Sequence, residues 1–139
     1  MMAEMFLDTA YAIALSAPGD LYHDRAMALA IEIKATSVPL VTTRAIFLEI
    51  GNALSKRRFR QASVSLLDKL ESDANVEILA LTELLYARAV RLYRERPDKD
   101  WGRTDCVSFV VMQDRGIIDA LTTDEHFQQA GFRALMRED

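Results

Sequence analysis

The sequence predicts an α/β fold in one domain over residues 1–139: a parallel sheet of five strands with helices on both faces. Three observations predict it. Its short apolar runs lack apolar/polar alternation, the mark of strands buried on both faces. Segments with helical spacing separate them, and parallel strands need such crossovers. Half of the 139 residues are hydrophobic and 27% are charged, the balance of a globular chain long enough to bury a core.

The elements follow in order. Met5-Phe6-Leu7-Asp8 is the first strand, closed by an acid. Residues 10–15 are a helical turn or two, stopped by Ala17-Pro18-Gly19. Asp20 starts a longer helix to about residue 36, with Leu21, Ala28, Leu29 and Ile31 as apolar positions. Residues 39–42 are the second strand, and Thr43 suits the cap of a helix from Arg44 to about Arg58. Residues 61–71 are helical, 76–81 the third strand, and Thr82 suits the cap of a helix to about Arg96. After a polar, irregular stretch at 96–102, residues 104–115 are helical. Residues 120–122 are the fourth strand, 124–130 a short helix and 132–136 the last strand.

Five Gly and three Pro leave little room for linkers. No apolar run approaches the ~18 residues needed to span a bilayer, and Met1-Met2-Ala3-Glu4 lacks the basic start of a signal peptide. Cys106, the one cysteine, cannot form an internal disulfide and fits a reducing compartment. The expected location is cytoplasmic.

Net charge is −4, which taken alone counts against a nucleic-acid partner. The bases are nevertheless clustered. Lys56, Arg57, Arg58 and Arg60 form one patch; Arg88, Arg91, Arg94, Arg96, Lys99 and Arg103 form another. Each patch reads equally as a solvated helix end favoured by the macrodipole. Two bound divalent cations would offset the acidic excess.

Ligands of open parallel sheets bind beyond the carboxyl ends of the strands. Asp8 closes the first strand and Asp124 follows the fourth, although a strand-to-helix turn also takes Asp as a plain N-cap. Glu49 falls inside the apolar stripe of Ile46, Phe47, Ile50, Ala53 and Leu54, where a carboxylate needs a cation or an arginine. Asp105 lies in the first turn of its helix behind Thr104 as cap, a position the helix dipole favours by itself. Asp100 is either a supporting acid or a turn residue. Carboxylates without paired cysteines or histidines suit Mg²⁺ or Mn²⁺ rather than zinc. One or two such ions support phosphodiester hydrolysis by activating a water and stabilising the leaving oxygen. His23 reads as a rim residue, His126 as a solvated side chain, Cys106 as a core residue, and Trp101 and Phe109 as packing. Phosphate-binding glycine loops and a G-x-S-x-G nucleophile turn are absent.

The ordered set Phe6-Leu7-Asp8-Thr9-Ala10-Tyr11, Leu48-Glu49-Ile50-Gly51-Asn52-Ala53-Leu54, residues 98–109 and Ala120-Leu121-Thr122-Thr123-Asp124-Glu125-His126-Phe127 resembles the PIN domains. The nearest group is the toxin component of VapBC-type toxin–antitoxin pairs, and the resemblance runs from about Met5 to Leu135. It implies a three-layer α/β/α fold with strand order 3-2-1-4-5. It implies Asp8, Glu49, Asp105 and Asp124 as catalytic metal ligands, with Asp100, Thr104 and Thr9 as supporting polar groups. RNA is the implied substrate, Mg²⁺ or Mn²⁺ the implied cofactor, and an antitoxin and a second copy of the chain the implied partners. Lys56, Arg57, Arg58 and Arg103 are expected to meet phosphate. An RNA-processing nuclease without an antitoxin and a non-catalytic RNA- or protein-binding module are the alternatives. A haloacid-dehalogenase-like phosphatase wants a second Asp where Ala10 stands, and a receiver domain wants an acidic pair after the first strand, where only Asp8 is present.

Overall fold

The structure is a computed structural model and describes residues 3–138. Met1 and Met2, where the reading of the amino terminus as free of a signal peptide begins, lie outside the described residues. Five parallel strands, β1 (Met5–Leu7), β2 (Leu40–Thr43), β3 (Val76–Leu79), β4 (Asp119–Leu121) and β5 (Arg133–Ala134), form one sheet in the order β3-β2-β1-β4-β5. Met5 pairs with Leu40 on one side and Asp119 on the other, so β1 is central. The chain builds outward from β1 through β2 to β3, then returns to lay β4 and β5 on the opposite side. Strand order therefore reverses between β1 and β4, which opens a crevice at their carboxyl ends.

Burial explains the missing alternation. Phe6, Leu7, Val41, Ala120 and Leu121 are all buried, so neighbouring residues on both faces of the central strands meet helices. Those helices are α1 (Thr9–Ser16), α2 (His23–Thr36), α3 (Arg44–Ala53), α4 (Arg60–Ser72), α5 (Glu83–Glu95), α6 (Arg103–Arg115) and α7 (Glu125–Gln129). Among them α1 packs against α2, α3 and α4, and α6 against α3, α5 and α7. Cys106 through Met112 are buried without interruption, so the middle of α6 is enclosed on all sides. Phe109 of α6 stands edge-on to Trp101 and to Phe127, each at 5.0 Å, and Trp101 Nε1 donates to Gln129 Oε1 at 3.0 Å. This aromatic cluster pins the polar stretch before α6, and with it the position of Asp105. Trp101 and Phe109 are packing residues, as expected, and Cys106 is a buried core thiol.

Several boundaries differ from the sequence expectation. The second helix starts at His23 rather than Asp20, because Asp20 folds back: its Oδ1 accepts from Tyr22 N and its carbonyl from His23 N. The helix from Arg44 stops at Ala53. Lys56 then turns extended, Arg57–Phe59 forms a separate 3₁₀ turn, and the Ser55 carbonyl accepts from the Arg60 guanidinium. Gly102, not Thr104, caps α6, leaving Thr104 inside the helix with its carbonyl bonded to Ser108 Oγ. The last strand keeps only Arg133 and Ala134, and Leu135–Arg137 continues as a 3₁₀ turn. Thr43 and Thr82 do cap α3 and α5, accepting from Ile46 N and Leu85 N. Among the described residues no helix is long and apolar enough to cross a membrane.

Candidate metal centre

The site grows from the crevice between β1 and β4. Backbone pairing with Leu121 fixes Asp8 N, and Thr42 Oγ1 donates to the Leu7 carbonyl at 2.9 Å, so both flanking strands hold the end of β1. Asp8 sits at the cap position of α1 yet makes no capping bond. Its Oδ2 instead accepts from Thr122 Oγ1 at 2.7 Å, and the carboxyl is buried. The same Thr122 oxygen accepts from Asp124 N at 3.0 Å. One hydroxyl thus ties together the acids that end β1 and begin α7.

Asp124 does cap its helix, accepting from His126 N at 2.8 Å, so the structural role anticipated for it is real and coexists with its place in the crevice. Asp105 reaches back to Gly102 N at 3.1 Å from the third position of α6, and Oδ2 also meets His126 Nδ1 at 3.0 Å. Glu49, half-buried on α3, accepts from Thr9 Oγ1 at 2.5 Å. Thr9 follows Asp8 directly, so the opening of α1 orients an acid on either side.

The electrostatics show that the four acids share one field. Burial pushes Asp8 from its usual 3.8 to about 7, and the charges of Glu49 and Asp105 add to that while the Thr122 hydrogen bond opposes it. Burial likewise raises Glu49, with repulsion from Asp105 and Asp124 adding and Thr9 opposing. Asp105 is raised first by burial and then by Asp124, against the Gly102 N–H and His126. Like charges forced together in a partly dry pocket form an arrangement that a divalent cation relieves. Among the described residues, one donor atom from each of Asp105, Asp124 and His126 lies within 4.8 Å of the other two. The donor set, mainly hard carboxylate oxygens, fits Mg²⁺ or Mn²⁺.

His126 is the residue that sequence reasoning misplaced. It is not a solvated side chain: its ring is 24% exposed and stands 3.0 Å from Asp105 and 3.4 Å from Asp124. Burial lowers its pKa, but the Asp105 hydrogen bond and the charges of Asp124, Asp105 and Glu125 prevail and the net direction is upward. Thr122 was also missed. Asp100 is exposed in a cleft with Tyr93, Arg94, Lys99 and Trp101, while Thr104 shares a different cleft with Glu49, Asn52 and Arg103. His23 lies at the rim, its Nδ1 2.7 Å from the Ala14 carbonyl. Burial and the Asp105 charge push the Cys106 thiol up to about 11, unsuited to a nucleophile.

The bases divide into two kinds. Arg88, Arg91 and Arg96 of the second patch are paired with Asp114, Glu95 and Asp98. Lys56, just before the 3₁₀ turn, and Arg57 and Arg58 on it are exposed; neither they nor Arg103, which donates to the Tyr86 hydroxyl and lies over the Tyr93 ring, make an ion pair among the described residues.

A family model described as the PIN domain matches residues 5–133 of the chain. Among solved structures, VapC20 of Mycobacterium tuberculosis, described as a sarcin–ricin loop cleaving toxin, is similar with a TM-score of 0.81 and 25% sequence identity, covering 93% of this chain and 96% of that one. VapBC2 of Rickettsia felis, solved with a DNA fragment from its promoter, is similar in fold with a TM-score of 0.66 and 15% identity, covering 91% and 92% of the two chains. A search of curated proteins finds no match.

Proposed function

The chain belongs to the PIN-domain family, whose model spans residues 5–133, and on that premise we propose that it is a Mg²⁺- or Mn²⁺-dependent endoribonuclease, the toxin of a type II toxin–antitoxin pair. The observation that carries this reading is the mutual influence of the acids: Asp8 feels the charges of Glu49 and Asp105, Glu49 those of Asp105 and Asp124, and Asp105 that of Asp124. The likeness to VapC20 over nearly the full length of both chains supports the toxin assignment.

In this reading the four acids hold one or two ions. A bound divalent cation supplies Lewis acidity for phosphodiester hydrolysis, activating the attacking water and neutralising charge on the scissile phosphate. The chain's own residues do the positioning. Thr122 fixes Asp8 and the start of α7; Thr9 fixes Glu49; the Gly102 N–H fixes Asp105. Lys56, Arg57, Arg58 and Arg103, which have no carboxylate partner among the described residues, take RNA phosphates. Thr9 and Thr104 are the supporting polar groups of the site, whereas Asp100 stands in a separate cleft beside Lys99 and Trp101. We assign residues 1–139 to this single catalytic domain, acting in the cytoplasm as a homodimer restrained by an antitoxin.

The test is incubation of the purified protein with total RNA and with an oligonucleotide carrying a sarcin–ricin loop, in Mn²⁺, Mg²⁺ or EDTA. Cutting that requires the ion is expected. Cutting that survives EDTA contradicts the metal-dependent reading, and RNA that stays intact in every metal favours a binding module.

A further inference from the structure

We propose that His126 supplies a nitrogen ligand to the cation gathered by the carboxylates, making this a mixed nitrogen–oxygen centre rather than an all-oxygen one. The inference rests on the metal-dependent reading above.

Geometry carries it. His126 Nδ1 lies 3.0 Å from Asp105 Oδ2 and 3.4 Å from Asp124 Oδ1, and one donor from each of the three residues falls within 4.8 Å of the others. Ligands about 2.0–2.2 Å from a common ion stand at this mutual spacing. The ring is also held in place. Asp124 caps α7 by accepting from His126 N at 2.8 Å, so carboxylate and imidazole leave the same first turn side by side. Among the described residues, Nδ1 has only the two carboxylates as partners, and no carbonyl or hydroxyl occupies it. As a ligand, Nδ1 is unprotonated and Nε2 carries the ring hydrogen.

An imidazole donor changes ion preference. Carboxylates alone serve Mg²⁺ well, whereas nitrogen raises affinity along the series from Mn²⁺ to Co²⁺. His126 therefore biases the site toward Mn²⁺ and Co²⁺. A purely orienting role, through a hydrogen bond to Asp105, would instead support all ions alike.

The experiment is pulsed electron paramagnetic resonance on the full-length protein loaded with Mn²⁺. The expected result is a nitrogen hyperfine coupling of directly bound imidazole that changes with nitrogen-15-labelled histidine, persists in His23→Gln and vanishes in His126→Gln. Alongside it, His126→Gln lowers Co²⁺ affinity about tenfold or more while lowering Mg²⁺ affinity far less. Mn²⁺ bound in an Asp105-dependent way without nitrogen coupling overturns the ligand assignment and leaves the metal reading standing. Equal losses for Co²⁺ and Mg²⁺ overturn it too, reducing His126 to a positioning residue. Failure of the protein to bind Mn²⁺ at all overturns both.

Discussion

Thr122 Oγ1 donates to Asp8 Oδ2 at 2.7 Å across a sequence separation of 114 residues. The same oxygen accepts from Asp124 N, so a single hydroxyl sets the spacing of two acids across the crevice between β1 and β4. Thr122→Val keeps the size of the side chain and removes both bonds. It is expected to destabilise the metal-free protein by about 1–3 kcal/mol, since a buried carboxylate and an N–H lose their partner. Cleavage should fall about 10–100-fold through disordered ligands. Thermal melting and single-turnover rates check this; a variant with wild-type activity would show that the hydroxyl positions nothing.

Asp8 makes the metal-free protein sensitive to pH. Burial raises its carboxyl from 3.8 to about 7, so the folded state binds the proton more tightly than the unfolded chain. This contribution to stability is complete below about pH 4 and is lost as pH rises through about 7, an upper bound of roughly 4 kcal/mol. Asp8→Asn cannot ionise and still accepts from Thr122. It is expected to melt above the wild type at pH 8 without metal, with the gap closing toward pH 4, while losing cleavage. If Asp8→Asn instead melts well below the wild type at pH 8, the residue is a structural cap and the reading of it as a ligand fails.

RNA affinity should follow the unpaired bases rather than the total count. Arg57 and Arg58 make no ion pair among the described residues, whereas Arg88 is held by Asp114 through both guanidinium nitrogens. Alanine at Arg57 and Arg58 should flatten the salt dependence of RNA binding by about 0.7 per lost contact. Arg88→Ala should leave that slope unchanged and cost little stability, as exposed ion pairs contribute ~0–1 kcal/mol. Binding titrations over a range of salt decide between the two arginine groups.

Much of this was legible in the sequence because buried parallel strands announce themselves. Phe6-Leu7 and Ala120-Leu121 are apolar without alternation, and the acids that follow each run had to lie at strand ends. Strand order was another matter: it came from the resemblance, since spacing alone does not say which strands are neighbours. His126 was unreadable because its place beside the carboxylates depends on the tight turn by which Asp124 caps α7, which spacing along the chain does not reveal. Thr122 looked like one more strand residue, and its role exists only because β1 and β4 pair in parallel register, Leu7 against Leu121. The early stop of α3 at Ala53 was hidden by Lys56, Arg57 and Arg58, whose helix propensity is good although Lys56 is extended and Arg57–Phe59 forms a separate turn.

The most direct test of the four-acid site is calorimetric titration of Mn²⁺ into the wild type and into Asp8→Asn, Glu49→Gln, Asp105→Asn and Asp124→Asn, with RNA cleavage measured on the same samples. Each substitution is expected to weaken Mn²⁺ binding about tenfold or more and to abolish cleavage, because the four carboxylates act on one ion cluster. Wild-type Mn²⁺ affinity in all four variants would contradict the account and return these acids to helix caps and rim charges.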